Sequence, residues 1–195
     1  MVVNKEQPMA DRFPGDIKLG GTITITTIEE REAIETALNS FSEETGHEYG
    51  EADWGQTITI DNYRQFLDEC GYLHGKNDQA RYGEFEDTED LLREAGISYD
   101  RHSSARYEYD AEFVRWRPGM DEPDLQLATE DGDVTIKVDT VEQLIKIHLD
   151  LGDDASLTNR IENFKRALDK ATGTDIPGLE PLNIIDNAPK EDEDA

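Results

Sequence analysis

An α+β fold is what this sequence predicts, and three observations carry that reading. Thr22-Ile23-Thr24-Ile25-Thr26 alternates β-branched residues at the two-residue period of a strand. Leu125 to Thr129 and Val134 to Val138 flank Glu130-Asp131-Gly132-Asp133, and Asp-Gly between two alternating runs marks a hairpin. Ile34, Ala37, Leu38 and Phe41 recur at helical spacing, as do Leu157, Ile161, Phe164 and Leu168. The expected architecture is a small antiparallel sheet with hairpins packed against about five helices.

Residues 1–16 hold Pro8, Pro14 and Gly15 with no sustained period, which predicts a flexible N-terminal arm before a single domain over 17–173. After the first strand, Thr27 is placed to cap a helix whose first turn carries Glu29 and Glu30, both favourable to the helix dipole. Gly46 stops it. His47 to Gly55 reads as a loop anchoring Trp54, and Thr57 to Ile60 as a second short strand. Asp61 would cap a further helix with Tyr63, Phe66, Leu67 and Cys70 on one face, ended by Gly71. On that face Cys70 belongs to the core.

Residues 72–83 show no clear period and read as an irregular crossing, a candidate sub-boundary. Glu84 to Ala95 then predicts an acidic helix, with Phe85, Leu91, Leu92 and Ala95 as its thin apolar face and Gly96 as its stop. Ile97-Ser98-Tyr99 and Phe113 to Arg117 read as strands, with Pro118-Gly119 turning after the second. A C-terminal helical hairpin is expected over 140–172: Thr140 caps the first helix, which turns Val141, Leu144, Ile145, His148 and Leu149 inward, and the second starts near Ser156. Residues 174–195, with Pro177, Pro181, Pro189 and a run of acids, predict a disordered tail.

Charge sets the functional bounds. The 195 residues carry 46 Asp and Glu against 19 Lys and Arg, a formal charge of −27. Small domains stay soluble with a net charge of magnitude roughly 2 to 8, so the excess needs another explanation. It repels nucleic acid and anionic membranes, and neither direct nucleic-acid nor membrane binding is expected. A lone cysteine excludes an intramolecular disulfide, and Met1 to Pro14 lacks the basic and apolar regions of a secretory signal, so the expected location is cytoplasmic.

Catalytic patterns are not met. His47, His74, His102 and His148 fall in separate elements without metal-ligand spacing. Asp131-Gly132-Asp133 and Asp153-Asp154 head no twelve-residue calcium loop. Pro123-Asp124 precedes Lys137 as in some metal nucleases, but Thr135 stands where an acid must share the strand face with the lysine. Gly20-Gly21 does not join a strand to a helix as a phosphate loop does, and Ser103-Ser104 beside His102 lacks a nucleophile elbow's glycines. No cofactor or metal is expected, and a binding role outranks an enzymatic one.

Two surfaces are candidates for a partner. Glu84, Glu86, Asp87, Glu89, Asp90 and Glu94 form a carboxylate ribbon, joined by Glu29 and Glu30 of the first helix. Arg101, Arg106, Arg115 and Arg117 interleave with Tyr107, Tyr109 and Trp116, which is either a mixed-charge binding face or internal neutralisation of the acids. In charge, size and lack of a catalytic motif the chain resembles acidic counter-defence proteins of phages and plasmids, namely DNA-mimicking anti-restriction proteins and anti-CRISPR inhibitors. The resemblance implies a non-catalytic inhibitor whose partner is a basic nucleic-acid-binding protein or nucleoprotein complex. The alternative is a small enzyme or housekeeping domain whose acidity is a halophile-type surface.

Overall fold

Antiparallel pairing organises most of the chain in the computed structural model, which describes residues 11–47, 57–106, 109–149 and 156–189. Seven strands form one sheet in the order β3-β4-β1-β5-β6-β7-β8. They are β1 (Arg12–Gly20), β3 (Gly46–His47), β4 (Leu73–Arg81), β5 (Ser98–Ser103), β6 (Ala111–Trp116), β7 (Asp124–Ala128) and β8 (Val134–Thr135). A separate parallel pair joins β2 (Thr22–Ile25) to β9 (Asn183–Asp186). Four α-helices complete the fold: α1 (Ile28–Glu44), α2 (Glu86–Glu94), α3 (Val138–His148) and α4 (Leu157–Thr172). The α+β class and the antiparallel sheet are as the sequence predicts, with four α-helices and one short 3-10 turn in place of about five helices.

The fold starts earlier than residue 17. β1 begins at Arg12 and lies between β4 and β5, with Phe13, Gly15, Ile17 and Leu19 turned to the core. Pro14 and Gly15 hid that alternation, and the chain accommodates them with a register irregularity between Phe13 and Gly15. α1 matches its prediction closely. Thr27 caps it through a reciprocal pair, its hydroxyl accepting from Glu30 N and Glu30 accepting from the Thr27 backbone, and Ile34, Ala37, Leu38 and Phe41 are buried.

Between α1 and β4 three expectations fail. Thr57 to Ile60 is not a strand: the amides of Ile58 and Ile60 donate to Ser42 Oγ and Glu35 Oε1 of α1, so side chains replace a strand partner. The helix after Asp61 is a single 3-10 turn, Tyr63–Phe66, with Asn62 at its N-cap position but its side chain accepting from Thr59 N rather than capping the turn. Asp68 Oδ1 then accepts from the amides of Cys70 and Tyr72 and turns the chain away, which leaves Cys70 exposed rather than in the core. The loop anchored by Trp54 lies outside the described residues.

Residues 73–81 form a strand paired to β1, not an irregular crossing, with the register shift between Asn77 and Ala80. Gly75 allows it, since a Cβ there would collide with Thr45 and the Phe41 ring of α1. α2 starts at Glu86 and buries Thr88 and Leu92 over the sheet, with Phe85 and Tyr99 in the same core. β6 and β7 stand close to where the sequence places them, but β5 runs on to Ser103 and β8 is only Val134–Thr135, because Val138 already opens the next helix; Gly132 takes the left-handed conformation of the hairpin turn, with φ 84°.

α3 begins at Val138, with Lys137 in the cap position and no side-chain cap, so Thr140 lies inside the helix. α4 is capped by Ser156 as expected and ends on Gly173, whose φ of 64° makes it a left-handed cap. Neither helix buries any side chain fully, and the two pack chiefly on each other. The tail also differs. Asn183–Asp186 is a strand, and Leu182 and Ile184 are buried beside Ile23 and Ile25. Tyr63 Oη accepts from Ile184 N at 2.9 Å and Tyr72 Oη donates to Leu179 O at 2.9 Å, so the segment after α4 is tied down by side chains 107 to 121 residues upstream. Among the described residues no helix is long and apolar enough to cross a membrane.

Candidate functional site

Acidic side chains converge where the end of α1 meets the start of α2. The two helices pack side by side, with Ser40 Oγ 2.7 Å from Thr88 Oγ1. This contact brings Glu44 beside Glu84, Glu86 and Asp87 around a cleft of about 200 Å³, whose lining also carries Arg12, Asn77 and Arg81. Asn77 Nδ2 donates to Glu44 O at 2.7 Å and fixes the end of α1 against β4.

The carboxylates in this cleft crowd one another. Burial raises the Glu44 pKa, the charges of Asp87 and Glu89 add to the rise, and a hydrogen bond from Thr88 opposes it. Burial also raises Glu84, with Glu112, Glu89 and Glu86 adding repulsion and Arg101 counteracting it. Glu86 and Asp87 sit in the first turn of α2, where the helix dipole favours negative charge. A cationic group entering the cleft would relieve this repulsion.

Not every acid of the predicted ribbon faces out. Glu86, Asp87 and Glu94 are exposed, and Asp90 is exposed while paired with Arg93 of its own helix. Glu89 turns inward. Its Oε1 lies 2.8 Å from Arg101 Nε and its Oε2 accepts from Tyr99 Oη at 3.2 Å. The sequence holds the signal for this, because Glu89 stands four residues after Phe85 and three before Leu92, on the apolar stripe. Glu29 is exposed, but Glu30 is occupied in the α1 cap, where bonds from Thr26 and Thr27 lower its pKa. Both lie at the far end of a 17-residue helix, about 25 Å from the cleft at 1.5 Å per residue, so they do not share a site with α2.

The arginine and aromatic residues are mostly internal. Arg101 is 3% exposed, binds Glu89, lies 3.6 Å from Glu112, and donates to Gly83 O. Arg117 pairs with Asp100 at 2.8 Å and donates to the carbonyls of Tyr99, Trp116 and Pro177. Arg115 pairs with Asp124 at 2.8 Å, lies over the Phe113 ring and donates to Thr172 O. Trp116 is buried and stacks on Tyr99 at 6.3 Å. These residues neutralise acids and hold strands and helices together. Arg106 and Tyr109 remain at the surface, Arg106 donating to Arg12 O and Tyr109 packing on Phe13 and Tyr82. Tyr107 lies outside the described residues.

A second constellation went unseen because its members are 28 to 86 residues apart in sequence. On the sheet face away from α1 and α2, register sets Asp16 of β1 opposite His102 of β5. Asp16 Oδ2 is 3.4 Å from His102 Nδ1, and Oδ1 is 3.6 Å from His74 Nε2. The other His102 nitrogen is 3.1 Å from Thr129 O, at the β7–β8 turn. Burial alone would raise the Asp16 pKa, but the hydrogen bonds and charges of His74 and His102 outweigh it and the net shift is downward. The same face carries the alternating row His74, Lys18, Asp100, Arg115 and Asp124. This face is internally paired, in contrast to the unbalanced cleft. Comparison with family models, with curated proteins and with solved structures yields no match to this chain.

Proposed function

We propose that this protein is a non-catalytic acidic binding protein that occupies the cationic surface of a nucleic-acid-binding protein or nucleoprotein complex, in the manner of an anti-restriction or anti-CRISPR inhibitor. The carrying observation is the cleft between α1 and α2, where Glu44, Glu84, Glu86 and Asp87 gather with raised Glu44 and Glu84 pKa values. Arg101, Arg115 and Arg117 are consumed inside the fold together with Glu89, Asp124 and Asp100, so the net acidity stays on the remaining surface and these arginines are not offered to a partner. Duplex DNA presents one negative charge per roughly 1.7 Å of axis, and acids on successive helical turns stand about 5 to 6 Å apart, close enough to engage several basic side chains at once.

Competition tests this reading. The purified chain is titrated into a restriction nuclease or an RNA-guided nuclease already bound to labelled duplex. The expected result is displacement of the DNA, weakening steeply with added salt. Glu84→Gln, Glu86→Gln, Asp87→Asn and Asp90→Asn together should abolish displacement, while Glu29→Gln leaves it intact. Displacement indifferent to the four amides would remove the cleft from the interface.

One observation favours a second reading, a halophile-type surface. Exposed acids also stand far from the cleft, at Asp121, Glu122, Asp131, Glu142 and Glu162. Under that reading the chain unfolds in dilute buffer and regains structure near molar salt, which circular dichroism across a salt series detects.

A further inference from the structure

We infer that the α3–α4 hairpin is a dimerisation arm on which a second copy of this chain docks. Nine large apolar residues are exposed among the described residues, and five of them, Val138, Ile145, Ile147, Leu157 and Ile161, lie on these two helices. Val138 is 70% exposed and Leu157 66%. Both helices are amphipathic over 11 and 16 residues, yet neither buries a side chain fully, and each packs chiefly on the other. Helices of this kind draw most of their stability from burying the apolar stripe, and Val138 and Ile145 on α3 with Leu157 and Ile161 on α4 leave part of it uncovered, Ile147 standing about 180° round the helix from Val138. The hairpin is joined to the sheet by a polar contact at its base, where Arg115 donates to Thr172 O at 3.2 Å.

Charge selects the occupant. On α4 the cations Arg160, Lys165, Arg166 and Lys170 outnumber Glu162 and Asp169, and α3 adds Lys146 against Asp139 and Glu142. The two helices together hold five cations and four anions, and the residues joining them add Asp150, Asp153 and Asp154, a small imbalance in a chain of charge −27. Two such chains repel over the rest of their surfaces, and this near-neutral, apolar arm is where they can approach at least cost. A basic partner would gain nothing from it. Mixed charges flanking an apolar stripe are self-complementary under a two-fold axis, which pairs the α3 acids with the α4 cations of the other copy and closes a four-helix bundle. The size suits a weak, concentration-dependent contact: α4 is about 24 Å long and two adjacent helices are roughly 20 Å across, a projected face of about 480 Å², below the ~800 Å² per partner of a standard interface.

Sedimentation equilibrium on the full chain tests this from about 1 to 200 μM, in salt from about 0.05 to 1 M. The expected outcome is a mass rising from 22.1 kDa to twice that value, with association strengthening as salt screens the repulsion. Target binding through the acidic cleft weakens with salt instead, so failure of one reading is distinguishable from failure of the other. Ile161→Glu and Ile145→Glu should each weaken dimerisation at least about tenfold with an unchanged far-ultraviolet spectrum, a fold-change the same titration resolves. Glu86→Gln should leave it unchanged. If either variant loses structure, Val138→Glu at the most exposed position replaces it. A monomer at every concentration and salt overturns the inference, as does a dimer indifferent to these substitutions. So does a monomer that instead shifts a labelled duplex through the α4 cations.

Discussion

Arg101 of β5 and Glu89 of α2 meet at 2.8 Å between the sheet and the helix layer, with the arginine side chain 4% exposed. Glu112 and the Gly83 carbonyl complete the guanidinium's surroundings. Removing one member of such a pair leaves the other charge desolvated and unmatched, which costs about 3 to 5 kcal/mol. Arg101→Met and Glu89→Leu should each destabilise by about 3 kcal/mol in urea unfolding, whereas the double substitution should cost much less than the sum of the two. Additive losses would show that the pair is not the linking contact.

Glu44 and Glu84 give stability a pH dependence opposite to that of an ordinary paired acid. Both carboxyls have raised pKa values in the fold, chiefly through burial. Between the ordinary glutamate value and those raised values the native state holds more protons than the unfolded state, so stability falls as pH rises through that window. Glu44→Gln should raise the melting temperature at pH 7 by on the order of 2 °C, after allowing for solvent screening, and should flatten the profile from neutral toward pH 5. Calorimetry across that range measures it.

Asp16 predicts the reverse sign. Its pKa is lowered in the fold by His74 and His102, which overcome the effect of burial. Its contribution is therefore present above the unfolded aspartate value of about 3.9 and is lost as pH falls through the folded value. Asp16→Asn should lower the urea midpoint at pH 6 to 7, and the parent and variant curves should converge in acid as the pH falls below the folded Asp16 value. Parallel curves over the whole range would show that the carboxylate is not held by the two histidines.

Gly75 is set by packing. A Cβ at this position would overlap Thr45 and the Phe41 ring, which anchor the end of α1 on β4. Gly75→Ala should cost about 1 to 3 kcal/mol by overpacking. Because that contact also positions Glu44, the variant should weaken any binding through the cleft, measurable by the same competition assay.

What could be read from the sequence was whatever local chemistry decides. Thr27 and Glu30 announce the start of α1, Ile34 to Phe41 its buried face, and Asp131-Gly132 the hairpin turn. β1 and β4 were hidden because their pattern is completed by the fold: Gly15 and Gly75 occupy core-facing positions as the only residue that fits, and score as breaks when read alone. β9 was hidden by flanking prolines, and its hydrogen bonds reach Gly21, Ile25 and Tyr63, none of which is local. At the candidate site, the exposure of Glu86 and Asp87 followed from helical spacing. The inward turn of Glu89 could be read from its place between Phe85 and Leu92, but its pairing with Arg101 and the meeting of Asp16 with two histidines depended on partners from other strands, which register decides and composition does not.

The parallel pairing of β2 with β9 has a consequence for how the chain reaches this state. Among the described residues, residues 22 to 25 find their strand partner about 160 positions later. Closing a loop of that length is entropically slow, and until it closes Ile23 and Ile25 stand on an open strand edge. A nascent chain can assemble α1 and much of the sheet during synthesis, yet it cannot seal its core until residues 183–186 have emerged. Removing residues 183–186 would therefore leave most of the elements in place and still expose that edge.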